Sequence, residues 1–306
     1  MNLKFHEDTK DLKIITPDSI LKGDCLELMA LIPDKSVDMV LCDLPYGTVG
    51  LSWDVVIPFW EHVYIDKKVF YLEDIIKRAL KLKLSVEKEI ENFIASCKQG
   101  LWNHYLRIGK EKTAFVLTGS QPFTSMLGAS NIQMLKYSWI WKKSLVTGHM
   151  NAKKMPLKNF EDILVFYEGL PTYNPQGVIE CNLVRNNSND EVIGDNLVKN
   201  STTKGLKTKE YIQTQTNYPR NILEFPNPLG GIHTTQKPVE LFEYLISTYS
   251  NVGDVILDTC LGSGTTAIAC INTGRKCIGI EIDPEFFKKI KNRIYTHIPP
   301  FEGLRF

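Results

Sequence analysis

The chain has 306 residues, 43% of them apolar and 23% charged, with 36 Lys and Arg against 35 Asp and Glu for a net charge of +1. That length buries a sizeable core as one large domain or one domain with an insert, and the composition excludes disordered and fibrous architectures. No stretch of about eighteen uncharged apolar residues occurs, and Met1 to Asp8 lacks the apolar core of a secretory signal, so the chain reads as soluble and cytoplasmic. The seven cysteines, at 25, 42, 97, 181, 260, 270 and 277, contain no Cys-x-x-Cys pair. They read as reduced, mostly buried thiols rather than a disulfide framework or a zinc ribbon. With charge so evenly balanced, any nucleic-acid partner must be met by a local basic patch.

Ser19 to Lys22, Gly23-Asp24 and the helically spaced apolar residues of Cys25 to Ile32 predict a strand, a turn and a helix stopped by Pro33-Asp34. Val37 to Cys42 is a compact apolar run of strand type ending abruptly in Asp43-Leu44-Pro45-Tyr46-Gly47, so a carboxylate, a proline and an aromatic sit at a strand's carboxyl end. From about 62 to 98, charges of both signs interleave with Leu, Ile and Val at a spacing that predicts one or two amphipathic helices. Thr113 to Leu117 and Asp162 to Tyr167 are strand candidates suited to a sheet interior. Between 169 and 231 the composition turns to Asn, Thr, Pro and Gly, with six basic and six acidic residues, which predicts an irregular inserted module.

The C-terminal part predicts a β-α-β unit: strand Asp254 to Asp258, loop Gly262-Ser263-Gly264, helix Thr265 to Asn272 and strand Lys276 to Ile282. Gly262-x-Gly264-x-x-Ala267 has the form of a dinucleotide fingerprint, with Glu281 near the expected place for a ribose-binding carboxylate. Any adenosine-bearing cofactor satisfies that pattern. Asp258, just before the loop, would repel a pyrophosphate but accept hydrogen bonds from an ammonium group, and too little sequence follows Glu281 for the further units of a dinucleotide domain. S-adenosylmethionine has that ammonium and no phosphate. The plain alternative is a glycine turn that merely joins a strand to a helix.

Asp43-Leu44-Pro45-Tyr46 resembles the Asp-Pro-Pro-Tyr motif of amino-group DNA methyltransferases, and Asp258 to Thr266 resembles their cofactor loop. The catalytic motif comes first, as in the circularly permuted β-class, and further similarity lies in Gly23-Asp24, Trp53 to Phe59, Thr118 to Phe123, Asn159 to Leu164 and Thr234 to Pro238. The resemblance implies an α/β, Rossmann-like fold: a twisted, mostly parallel sheet with helices on both faces. It divides the chain into a catalytic half at 1–168 with the insert at 62–98, a variable target-recognition region at 169–231 and a cofactor half at 232–306.

An exocyclic amine on a base is a poor nucleophile because its lone pair is delocalised into the ring. Acceptors for its N–H bonds localise that pair and stabilise the positive charge that develops. By resemblance, Asp43 supplies one acceptor and the carbonyl of Leu44 or Pro45 another, Pro45 fixes the backbone, and Tyr46 stacks on a base rotated out of the duplex. Leu44 departs from the commoner proline at the second position and loosens the turn. A plain turn is the alternative for Asp-x-Pro-Tyr taken alone. The resemblance also places Asp24 near the cofactor's adenine and Lys237 near its methionine end, and groups Asp258, Gly262, Gly264, Thr265, Thr266 and Glu281 around the cofactor. The plain alternatives are a helix N-cap for Asp24, a solvated lysine for Lys237 and a strand-end charge for Glu281. No metal is called for.

Lysines 136, 142, 143, 153, 154 and 158 stand without an acid between them and interleave with Tyr137, Trp139, Trp141 and His149. This predicts a phosphate-facing patch, with Lys142, Lys143, Lys153 and Lys154 as DNA contacts; the alternative is a strand whose Trp side chains pack the core. The resemblance implies an S-adenosylmethionine-dependent methyltransferase acting on double-stranded DNA, at adenine N6 because family members acting there usually begin the motif with Asp or Asn. Cytosine N4, an RNA or protein-glutamine substrate, and a non-catalytic cofactor-binding module are the rivals. A homodimer and a cognate restriction endonuclease are partners that the resemblance allows.

Overall fold

The computed structural model describes residues 3–47, 54–65, 68–71, 73, 97–186, 210–228, 230, 232 and 235–297. Compactness divides the chain into two units, Met1–Asn174 with Asn221–Phe306, and Pro175–Arg220. The described strands are β1 (Lys4–His6), β2 (Ser19–Lys22), β3 (Val37–Cys42), β4 (His62–Ile65), β5 (Lys68–Tyr71), β6 (Gly109–Gly119) and β7 (Leu135–Thr147). They continue with β8 (Lys158–Phe166), β9 (Ile179–Asn186), β10 (Glu210–Thr216), β11 (Ile222–Phe225), β12 (Val255–Asp258) and β13 (Lys276–Glu281). The described α-helices are α1 (Cys25–Met29), α2 (Leu101–Ile108), α3 (Phe123–Ser130), α4 (Val239–Tyr249), α5 (Thr265–Thr273) and α6 (Pro284–His297).

In the larger unit nine strands form one sheet in the order β1-β2-β13-β12-β3-β6-β8-β7-β11. Every neighbouring pair is parallel except the two made by β8. The central strands β3 and β12 are near-continuous apolar runs because both faces of the sheet are covered. Successive residues of β3 show this: Val40 and Cys42 join one core with Trp102 and Tyr105 of α2 and Phe123 of α3, while Met39 and Leu41 join the other with Leu241 and Phe242 of α4, Ala267 of α5 and Ile290 of α6. The result is three layers, helix on sheet on helix.

Two expectations need correction. His62–Ile65 and Lys68–Tyr71 pair as antiparallel strands, His62 opposite Tyr71 and Ile65 opposite Lys68, where amphipathic helix was predicted. His-Val-Tyr-Ile and Lys-Val-Phe-Tyr are rich in the β-branched and aromatic residues that favour a pleated surface. The rest of that predicted helical stretch, from 74 to 96, lies outside the described residues. The inserted module is also narrower than 169–231, since the separate unit spans Pro175–Arg220 and Ile222–Phe225 belongs to the main sheet, with Glu224 registered against Lys142. The smaller unit contains an antiparallel ribbon, β9 with β10, running from Glu210 opposite Asn186 to Thr216 opposite Ile179.

Candidate active site

Strands β12 and β3 are parallel neighbours, with Ile256 beside Met39 and Leu257 beside Val40, so their carboxyl ends lie on the same side of the sheet. Asp258 ends β12, and Asp43 directly follows β3. Chain segments more than two hundred residues apart thereby line one cleft of about 380 Å³. Open parallel sheets place ligands at such strand ends.

On the β12 side, Gly264 opens α5 with φ +81°, a backbone that favours glycine, and a Cβ there would press on the Ile290 side chain at 3.1 Å. Helix α5 has no side-chain cap at this end. Two carboxylates brace the loop. Asp258 accepts from the Cys260 N–H at 2.9 Å and from the Thr266 hydroxyl, while Glu281 accepts from the N–H groups of Gly262 at 2.7 Å and Asp283 at 2.8 Å. Burial raises the Asp258 carboxyl to about 6, against its own hydrogen bonds, and raises Glu281 to about 7. The Gly262 N–H is thus spent on a protein carboxylate, the opposite of a phosphate cradle. Among the described residues, Asp24, Asp43, Asp54, Glu161, Asp258 and Glu281 line the cleft against the one cation Lys237. That donor set fits a cationic ligand bearing hydroxyls and excludes a phosphate.

On the β3 side, Asp43 is the centre of a fixed network. Its Oδ1 accepts from the Thr118 hydroxyl and, at 2.9 Å, from the Tyr46 hydroxyl; its Oδ2 accepts from Lys237 Nζ at 2.5 Å. Tyr46 stacks on Phe123, with ring centroids 5.1 Å apart, and burial followed by the Asp43 and Glu161 charges keeps its phenol protonated above the usual range. Leu44 is buried in the core, which anchors the turn despite the missing proline. Lys237 is 4% exposed, so it is no solvated lysine, and its carbonyl accepts from the Thr265 hydroxyl at 3.3 Å. One residue therefore ties the glycine loop to the acidic turn. Asp24 lines the cleft and also caps α1, accepting from Leu26 N–H at 2.8 Å.

The basic stretch divides. Strand alternation puts Trp139, Trp141 and Lys143 on one face, and the register sets Trp141 opposite Glu161, so Lys143 Nζ lies 2.5 Å from Glu161 Oε1 with 11% of its side chain exposed. Lys143 is therefore not available as a phosphate contact, and Trp139 and Trp141 are buried core residues rather than platforms for bases. Lys142 pairs with Glu224 at 2.8 Å across the β7–β11 register, an exposed pair of small energetic weight. Lys153 and Lys154 are exposed beyond the end of β7. The partners Thr118 and Glu161 lie in segments already noted as similar to the family, but their reach to Asp43 and Lys237 is tertiary and carries no local signal. Among the described residues no helix is long and apolar enough to cross a membrane, and no cluster of ligands could hold a metal.

A parallel sheet with a paired acidic turn and glycine loop at adjacent strand ends defines a methyltransferase of the Rossmann-like class. The chain belongs to the DNA methylase family, whose N6_N4_Mtase model matches residues 37–292. The DNA adenine methyltransferase YhdJ of Escherichia coli (strain K12) is 27% identical over 282 residues, 88% of this chain and 80% of that protein. The type II methyltransferase M.HpaI of Haemophilus parainfluenzae is 36% identical over 91 residues, covering 28% of this chain and 29% of its own. Among solved structures, the cytosine-N4-specific PvuII DNA methyltransferase superposes with a TM-score of 0.54 at 14% identity, covering 92% of this chain and 87% of that one. The M1.HpyAVI complex with S-adenosylmethionine gives 0.52 at 19% identity, covering 90% and 98%.

Proposed function

We propose that this DNA methyltransferase transfers a methyl group from S-adenosylmethionine to the N6 amine of adenine in duplex DNA. The observation that carries the reading is Asp43 and the glycine loop on adjacent strand ends in one cleft. Adenine is supported by the acidic first residue of the motif and by the name of the YhdJ relative, which matches across most of its length.

When bound, the cofactor supplies an electrophilic methyl group on a positively charged sulfur. Glu281 and Asp24 would hold its hydroxyl-bearing and base ends, and Asp258 and the glycine loop its cationic amino acid end. Asp43 accepts an amine N–H, and its orientation is set beforehand by Thr118, Tyr46 and Lys237, so little reorganisation is needed as charge develops. The carbonyl of Leu44 or Pro45 takes the second N–H. Tyr46, stiffened by Phe123 behind it, presents an aromatic face to the extruded base.

Incubating the protein with duplex DNA and S-adenosylmethionine, then digesting to nucleosides for mass spectrometry, is expected to yield N6-methyladenine. N4-methylcytosine alone would overturn the base assignment, and an unmethylated digest the whole reading. Lys153 and Lys154 remain as phosphate contacts of the basic stretch. Replacing each by Ala should reduce the slope of log K against log salt by about 0.9 per phosphate lost. Lys143→Ala should leave that slope alone and instead destabilise the fold by about 1.5–3 kcal/mol, because Glu161 loses one of its two ammonium partners and keeps Lys237. Equal salt slopes in all three variants would remove the interface.

A further inference from the structure

The segment Asn159 to Leu164 has no part in the mechanism above, yet it carries Glu161, a carboxylate whose side chain is 12% exposed and holds an ammonium on each oxygen. Lys143 Nζ lies 2.5 Å from Oε1 and Lys237 Nζ 3.2 Å from Oε2. Lys237 reaches Asp43 Oδ2 at 2.5 Å from its other side, so Asp43, Lys237, Glu161 and Lys143 alternate in sign along one buried line. The geometry points to Glu161 as a positioning residue that acts on Asp43 through Lys237, an inference that rests on the amine-methylation reading.

The argument follows from lone pairs. Asp43 Oδ1 already accepts two hydroxyls, from Thr118 and Tyr46, which fill its acceptor sites. Among the described residues Oδ2 holds only Lys237, so the amine N–H must share that oxygen with an ammonium. A lysine neutralised by Asp43 alone would draw electron density from Oδ2 and set its charge against the positive charge growing on the amine. Glu161 divides the ammonium between two carboxylates, and Lys143, held over the Trp141 ring at 5.1 Å, keeps Glu161 from swinging fully onto Lys237. The four charges sum to zero. Removing Glu161 leaves one net positive charge beside a reaction that creates another. Burial opposes the Lys237 charge most, yet Asp43 and Glu161 together hold its pKa above the ordinary lysine value.

The test is a double-mutant cycle on methyl transfer to duplex DNA, with tritiated S-adenosylmethionine. Glu161→Gln in the otherwise unchanged chain is expected to lower kcat about 10- to 100-fold while the cofactor KM moves by less than about threefold. In a Lys237→Met background the same substitution should change kcat by less than about threefold, since the group it acts through is gone. An equal fall in both backgrounds would show a general structural role and overturn the inference, as would no fall in the first. Should Glu161→Gln fail to fold with Lys143 unpaired, Lys143→Met/Glu161→Gln removes that pair as a unit and enters the same cycle.

A second readout needs no DNA. The Lys237 ammonium, faced by Asp43, Glu161, the Tyr46 ring at 5.7 Å and the Thr235 carbonyl at 3.4 Å, can be titrated by NMR in the free protein. Its pKa should fall in Glu161→Gln, and an unchanged value would refute the charge sharing. Unmodified protein that places no methyl group on DNA refutes the methylation reading instead, so the two failures are told apart.

Discussion

Asp43→Ala is expected to reduce methyl transfer by about a thousandfold or more, while cofactor affinity stays within a few-fold of the unmodified protein. Removing one preorganised group at a developing charge typically costs about 10²–10³ in kcat, and here the same change also strips the Thr118 and Tyr46 hydroxyls of their shared acceptor. Lys237 keeps Glu161 as a partner at 3.2 Å, so the loss does not leave a buried ammonium alone, and the cleft should survive. Asp43→Asn keeps a carbonyl acceptor of the same shape but surrenders the charge that pairs with Lys237, and should fall between, about 10- to 100-fold down. Initial rates of methyl incorporation, set beside calorimetric titration with the cofactor, separate the two quantities. Turnover within tenfold of normal in the alanine variant would remove Asp43 from the chemistry.

That prediction was reachable from sequence because its parts are local. Val37 to Cys42 and Val255 to Asp258 are near-continuous apolar runs bounded by turn residues, the pattern of strands buried on both faces, and Gly262-Ser263-Gly264 marks a strand-to-helix turn whose positive φ at 262 and 264 favours glycine. Their adjacency is tertiary, and only the resemblance to a permuted family anticipated it. Errors arose where a composition window averaged over different structures. Thirty-seven residues of mixed charge and aliphatic side chains read as helix, although the first ten hold the β-branched and aromatic pattern of paired strands. The lysine run read as unopposed because its acids come from elsewhere: Glu161 reaches Lys143 across one antiparallel register and Glu224 reaches Lys142 across a parallel one. Alternation along β7 then decides which lysine is buried, and no count of charges in sequence reveals that.

The second large effect lies at Glu281 and is read through pH. Burial holds its carboxyl at about 7 and that of Asp258 at about 6, so both change charge within an accessible range. In the cofactor-free fold these raised values mean that the native state binds more protons than the unfolded chain between pH 5 and 7. The resulting stability is present at the acid end and lost as pH rises through about 7. Cofactor binding runs the other way, because a cationic ligand with ribose hydroxyls favours the ionised carboxylates. Affinity should therefore climb from pH 5.5 to 8 and level off above it, as calorimetric titration would show. Glu281→Gln keeps the shape and loses the charge, at a cost of about 1.5–3 kcal/mol, or roughly 10- to 100-fold in affinity at pH 8. It should also erase the rise around pH 7 and leave the one near pH 6 that belongs to Asp258. An unmodified protein with the same affinity at both ends of that range would make Glu281 a brace for the Gly262 and Asp283 backbone and nothing more.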